Sequence, residues 1–189
     1  MPIPAFASNN VLPPFVGSWP GAPLGFAPYR ATLAEVVAAF GTSDHRRGIL
    51  VGFIDLRAKL RNLGFPIQLQ WLDGSFTEEI EVSEGRPPGD IDVVTFAERP
   101  ALAKSDIQFS ALANANLDVV VPSQSKTTYR VDHYLIDLDL GLPIDRICYW
   151  NAVFSHRRNG LWKGYVELID EGAVIDQNAR AALIASGVS

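Results

Sequence analysis

Apolar residues recur along this chain in two rhythms, and the rhythms place its elements. From Thr32 the spacing is helical. Leu33, Val36, Val37 and Phe40 share one face, Thr32-Leu33-Ala34-Glu35 matches a capping box, and Gly41 ends the run. A second helix begins at Ser43 or Asp44 and runs to about Leu63, stopping at Gly64. Ile49, Phe53, Leu56, Leu60 and Leu63 form its apolar stripe, and its other faces carry Arg46, Arg47, Arg57, Lys59 and Arg61, the cations of a solvated helix surface. At Phe65 the period drops to two. Gln68 and Gln70 alternate with Ile67, Leu69 and Trp71 in a strand that reaches Leu72. Glu78, Glu79, Glu81 and Glu84 then read as a solvated acidic loop or hairpin, and Pro87-Pro88-Gly89 stiffens the approach to a second strand, Asp90 to Phe96. Val93, Val94 and Phe96 continue an apolar run, so this strand is buried.

Beyond it, Pro100 to about Ala115 reads as helix, with Pro in the first turn. Leu117 to Val121 reads as a short buried strand, and the alternation from Lys126 to Asp137 as the third main strand. Ile147-Cys148-Tyr149-Trp150 leads through Phe154 to Asn159-Gly160, a hairpin turn signal, with Lys163 to Leu168 as the return strand. Asp176 begins a last short helix through Leu183. The pattern predicts an α/β (α+β) domain over residues 29–189. Residues 1–28 differ. Pro2, Pro4, Pro13, Pro14, Pro20, Pro23 and Pro28 stand among Phe6, Phe15, Trp19 and Phe26, which forbids helix and is too apolar for a solvated tail. An extended arm draped on its own domain is the plain reading. An arm packed on a neighbouring subunit is the sharper one.

The 189 residues suit one core, and 48% hydrophobic with 20% charged is an ordinary globular composition. A net charge of −5 gives no global basic footprint, which argues against broad nonspecific nucleic-acid binding. Cys148 stands alone in apolar company and reads as a buried structural thiol in a reducing cytoplasm. No apolar run of about eighteen residues predicts a membrane span, and the first residues lack a signal-peptide pattern.

The chemistry concentrates between Gln70 and Phe96. Asp90 and Asp92 sit at i and i+2 of one strand and therefore share a face. Two carboxylates at the mouth of a buried strand repel each other, and a divalent cation between them removes that cost. Gly74 lets backbone approach a ligand closely, and Ser75 can open a turn whose N–H groups face an anion. A glycosidase pair needs wider spacing, and no Cys/His cluster supports zinc.

Leu72-Asp73-Gly74-Ser75, followed after an acidic stretch by Gly89-Asp90-Ile91-Asp92-Val93, resembles the signature of the DNA polymerase beta-like nucleotidyltransferase superfamily. Gln70 to Phe76 and Pro88 to Val94 look closer still to an uncharacterised branch of small bacterial and phage proteins. The resemblance spans about Pro28 to Leu168 and implies a mixed sheet flanked by helices. It implies transfer of NMP from an NTP to a protein or RNA hydroxyl, with two Mg2+ ions held by Asp90, Asp92 and a third carboxylate from the neighbouring strand. Asp132 and Asp137 are the candidates. They differ in parity, so only one joins the site, and Asp132 is chosen. His133 has the opposite parity and reads as structural. Gly74, Ser75, Arg86, Lys126, Arg157 and Lys163 are the expected nucleotide contacts, with Arg158 beside them and Arg46 or Arg57 as further phosphate ligands. The other class of function is a noncatalytic binding module or antitoxin-like partner protein on the same fold, alone or as a homodimer.

Overall fold

The computed structural model describes residues 3–17, 25–141 and 143–186. Thr32 and Glu35 cap each other reciprocally, and this starts the first helix where the sequence places it. The first elements are β1 (Tyr29–Ala31), α1 (Leu33–Phe40), α2 (Asp44–Asn62), β2 (Ile67–Asp73), α3 (Ile80–Glu84) and β3 (Ile91–Ala97). There follow α4 (Asp106–Ala115), α5 (Leu117–Val120), α6 (Pro122–Tyr129), β4 (Val131–Asp137), α7 (Ile144–Phe154), β5 (Val166–Leu168) and α8 (Ala173–Ala185). The sheet runs β1-β5-β2-β3-β4, with β1–β5 and β3–β4 parallel and the two central pairs antiparallel. It is a mixed sheet in an α+β fold. Among the described residues, no helix is long and apolar enough to cross a membrane.

Strand alternation divides the side chains between two faces. Leu72, Ile91, Val93, Val131, Val166 and Leu168 join the main core with Val36, Phe40, Ile49, Phe53, Leu56 and Leu60 of α1 and α2 and Leu183 of α8. The opposite face carries Trp71, Val94 and Phe96. These pack with Tyr165 and with Trp150 and Phe154 of α7 in a smaller aromatic cluster. That second layer covers only part of its face, and the acidic residues stand at its edge.

A chain of buried polar groups crosses the main core. His133 Nδ1 lies 2.6 Å from the Val119 carbonyl and can only donate to it, so Nε2 accepts from the Thr95 hydroxyl at 2.9 Å. Thr95 Oγ1 accepts from Gln70 Nε2 at 2.8 Å, and Gln70 Oε1 accepts from Arg57. Burial lowers the His133 pKa to about 4, so the ring stays neutral. Arg57 continues the chain to Asp176 at 2.8 Å and Asp170 at 2.8 Å.

Several sequence expectations change. Leu117–Val120 is a helical turn, not a strand, because Asn116 and the following Pro122 bracket one turn, in which Val119 is buried and Val120 packs half-buried against the core. Lys126 to Tyr129 is helix: Pro122 occupies the first turn of α6, and Arg130 ends it in the left-handed region, so the strand starts at Val131. The predicted helix from Pro100 begins instead at Ser105, whose capping box with Gln108 starts α4 after a single 3-10 turn. Ile147 to Trp150 lies inside α7, with Ile147, Trp150 and Phe154 turned to the sheet; Cys148 lies off that face and is exposed. The Asn159-Gly160 turn survives as one antiparallel bridge between His156 and Trp162. Asp176 lies within α8 and is 3% exposed, as the partner of Arg57. Arg46 and Arg57, read as solvated or phosphate-facing, are both buried. Arg46 donates to the carbonyls of Phe76 and Glu78 and to Glu81.

The N-terminal arm lies on its own domain. Val11 and Leu12 are buried. Glu79 N–H donates to the Asn10 carbonyl at 2.9 Å, Gly164 N–H to the Leu12 carbonyl at 2.7 Å, and the Tyr29 hydroxyl to the Pro13 carbonyl at 2.6 Å. Pro2, Trp19, Pro20 and Pro23 lie outside the described residues.

Replacing Arg57 with Met leaves Asp176 and the Gln70 carbonyl oxygen without their donor. Removing one partner of a buried pair costs about 3 kcal/mol or more, and Arg61, 2.9 Å from Asp176, holds the loss to the lower end. Urea unfolding of Arg57→Met should show that loss, and an unchanged midpoint would contradict it.

Candidate functional site

Strand register assembles the site. The antiparallel ladder sets Asp73 opposite Asp92, and the parallel ladder sets Asp92 opposite Asp132. Three carboxylates therefore stand at one level on three adjacent strands, and Asp90 is two residues before Asp92 on the same face. Ligand oxygens of Asp90, Asp92 and Asp132 all lie within 4.8 Å of one another, an arrangement that can hold a metal ion. All three are hard oxygen donors of the kind Mg2+ and Ca2+ take. Asp137 is at the far end of β4, where it accepts from Arg99 Nε at 2.6 Å.

The backbone closes tightly around this floor. Gly74 has φ 84°, outside the range most side chains tolerate, and a Cβ placed there would fall 2.0 Å from Asp92 Oδ2. Glycine at this position lets the turn cross directly over the carboxylate. Ser75 then opens a single 3-10 turn to Thr77, and the Thr77 hydroxyl donates to Asp73 Oδ1 at 3.2 Å. Arg46 holds the back of the same turn through the Phe76 and Glu78 carbonyls.

Crowding shifts the acids. Burial, then the neighbouring Asp73, Asp90 and Asp132 charges, push the Asp92 carboxyl up to about 7. Burial pushes Asp73 up to about 6 against the pull of Lys163. Lys163 is also buried, which opposes its charge, but the attraction of Asp73 and Glu78 outweighs that and raises its pKa. Its ammonium lies 3.0 Å from Asp73 Oδ1 and donates to Glu78 Oε1 at 2.8 Å and to the Gly74 carbonyl at 3.3 Å. These contacts make Lys163 a counter-ion for the buried acids, and its side chain also lines the cleft above the triad, where a nucleotide contact is expected. Glu78 is correspondingly buried at 3% and is no solvated loop residue.

The remaining cations ring a cleft of about 770 Å³ above the triad. Lys126 Nζ lies 2.6 Å from Asp90 Oδ2, at angles that make no hydrogen bond, and that oxygen has no hydrogen-bond donor. Arg157 bridges Glu78 at 2.7 Å and Glu84 at 2.9 Å. Arg86, which sequence proximity sets beside Asp90, pairs with Glu84 at 2.8 Å instead. Arg86, Arg157, Arg158 and Ser75 all line the cleft, whereas Arg57 does not. Tyr134, Trp150, Val153 and Phe154 form its apolar wall.

Sequence reasoning did not single out Asp73, Glu78 as an ion-pair partner, or Tyr134. Asp73 immediately precedes the Gly-Ser pair, and Tyr134 shares the parity of Asp132. Those two signals were present, but only strand register turns them into proximity.

Asp92 has a folded pKa above its unfolded value of about 3.9, so its ionisation opposes folding. Metal-free stability should fall as pH rises between about 4 and 7, by an amount on the order of 4 kcal/mol from this group. Asp92→Asn should flatten that decline and be the more stable protein at pH 8. A divalent cation that the triad holds should restore wild-type stability there and leave the variant unmoved. Chemical denaturation across pH, with and without Mg2+, reads all three effects.

No curated protein and no solved structure matches this chain. One family model does match, over residues 4–169, a span that takes in the arm, the Gly-Ser turn and every carboxylate of the triad. The chain therefore belongs to the DUF6932 family, a family of unknown function.

Proposed function

We propose that this protein transfers a nucleotidyl group from a magnesium-bound NTP to a hydroxyl acceptor on a protein or RNA. The observation that carries this reading is the meeting of Asp90, Asp92 and Asp132 on the floor of a cleft whose rim holds Lys126, Arg157 and Arg158. A carboxylate floor suits hard cations and a cationic rim suits a polyphosphate, so the two together favour a metal–polyphosphate ligand over either alone. The likeness of Gly74-Ser75 and Asp90-Ile91-Asp92 to nucleotidyltransferases supports the same reading.

In the proposed reaction the acceptor oxygen bonds to the α-phosphorus as the bond to the β-bridging oxygen breaks, and pyrophosphate leaves. Asp90, Asp92 and Asp132 would hold two Mg2+ ions, whose chemistry there would be charge stabilisation of the attacking and leaving oxygens. Asp132, which like Asp92 forms no ion pair among the described residues, would help hold the ion that lowers the pKa of the acceptor hydroxyl, whose proton passes to water. Ser75, carried on a turn fixed by Gly74 and Arg46, faces the cleft where the phosphates would lie. Arg157 and Arg158 contribute positive charge from the opposite lip. The Tyr134–Trp150 wall, with ring centroids 4.4 Å apart, offers an apolar surface to the rest of the nucleotide.

Calorimetric titration of each NTP with Mg2+ tests the proposal. Wild type should bind at least one NTP in a strictly Mg2+-dependent way, and Asp92→Ala should lose that binding. No binding by wild type would favour a noncatalytic partner protein on the same fold. Asp90→Asn should abolish transfer of an α-labelled nucleotide while its melting temperature stays level or rises, because one repelling charge is gone. A large fall in melting temperature would assign Asp90 a structural role instead.

A further inference from the structure

Two lysines stand against the acidic floor, and they differ in every property that governs exchange. Lys163 is 4% exposed, donates to Glu78 and the Gly74 carbonyl, and lies 3.0 Å from Asp73 Oδ1. Lys126 is 53% exposed, sits on the solvent side of α6, and contacts one oxygen, Asp90 Oδ2. That oxygen is buried yet accepts no well-directed hydrogen bond. The Lys126 ammonium is held chiefly by Asp90, with Asp132 and Asp92 adding attraction. It thus occupies, loosely, the negative potential in which a metal ion would sit.

We infer that Lys126 is an exchangeable place-holder: it neutralises Asp90 in the metal-free protein, is expelled when a divalent cation takes the triad, and then pairs with the anionic oxygens of the bound polyphosphate. This inference rests on the proposed magnesium–nucleotide reading of the site. The physical cause is charge conservation at close range. A divalent ion and an ammonium cannot share one carboxylate oxygen without strong repulsion, and a half-exposed lysine side chain leaves at little cost. Once released, its nearest uncompensated partner is a ligand phosphate in the same cleft. Metal and polyphosphate binding are then linked through one side chain, and linkage acts equally in both directions. Lys163 cannot take part, because leaving would strand the buried Asp73 carboxylate without its counter-ion.

The test uses Mg2+ alone and inorganic tripolyphosphate with Mg2+, titrated into wild type, Lys126→Met and Lys126→Arg. Lys126→Met should bind Mg2+ alone about two- to five-fold more tightly than wild type, since a competitor worth an exposed ion pair is gone. Tripolyphosphate at saturating Mg2+ should bind it about ten-fold more weakly, through loss of a charge-assisted contact. The factor by which Mg2+ enhances tripolyphosphate binding should shrink in Lys126→Met and persist in Lys126→Arg. Mg2+ affinity that is unchanged or weaker in Lys126→Met overturns the exchange while leaving the site reading intact. Wild type that binds Mg2+ but not tripolyphosphate overturns the polyphosphate half and the nucleotide reading with it. Wild type that binds no Mg2+ overturns both proposals.

Discussion

The row Asp73–Asp92–Asp132 is imposed by backbone hydrogen bonding. Once β2, β3 and β4 pair in their observed registers, like charges must stand abreast, whatever this costs. A one-residue slip of any one of these strands would send its carboxylate to the face where Val93 and Leu72 now lie. The hydrophobic face therefore selects the register, and the register gathers the acids. Burial against α1, α2 and α8 is what stabilises a row that electrostatics alone would scatter.

The rest of the site manages that repulsion. Lys163 removes Asp73 and Glu78 from the cleft's free charge, so the negative potential concentrates on Asp90, Asp92 and Asp132. Gly74 brings peptide backbone over Asp92 where any other residue would collide. Arg46 and Arg57, the two cations that α2 carries inward, serve opposite ends: one fixes the Gly-Ser turn, the other anchors α8 to the sheet. The polar chain from His133 to Arg57 gives each buried group a partner of the right sense and ends on a guanidinium that Asp170 and Asp176 neutralise, which fixes neighbouring strands laterally.

Much of this was legible in the residues. The capping box at Thr32, the apolar stripe of α2, the Gly-Ser turn and the Asp-x-Asp strand depend on local spacing, and they stand where spacing puts them. Parity left room for only one of Asp132 and Asp137, the choice of Asp132 rested on its place at the strand's start, and the parallel register with β3 places Asp132 opposite Asp92. Misreadings arose where tertiary context overrides local preference. Thr127, Thr128 and Tyr129 favour strand, yet Pro122 starts a helix that continues through them. Arg46 and Arg57 look solvated in any helical wheel, because buried carboxylate partners distant in sequence leave no trace near them. Lys163 likewise reads as a free cation until Glu78 is brought to it.

The proline-rich arm links to both sides of this machinery. Its Asn10 carbonyl receives the N–H that follows Glu78, and its Leu12 carbonyl receives the N–H that follows Lys163. The two members of the buried pair are thus each fastened, one residue downstream, to the same short stretch of main chain. Residues 10–12 tie the segment that carries Glu78 to the segment that carries Lys163. The arm that composition marks as draped on its own domain is, in mechanical terms, a tie between two parts of the site.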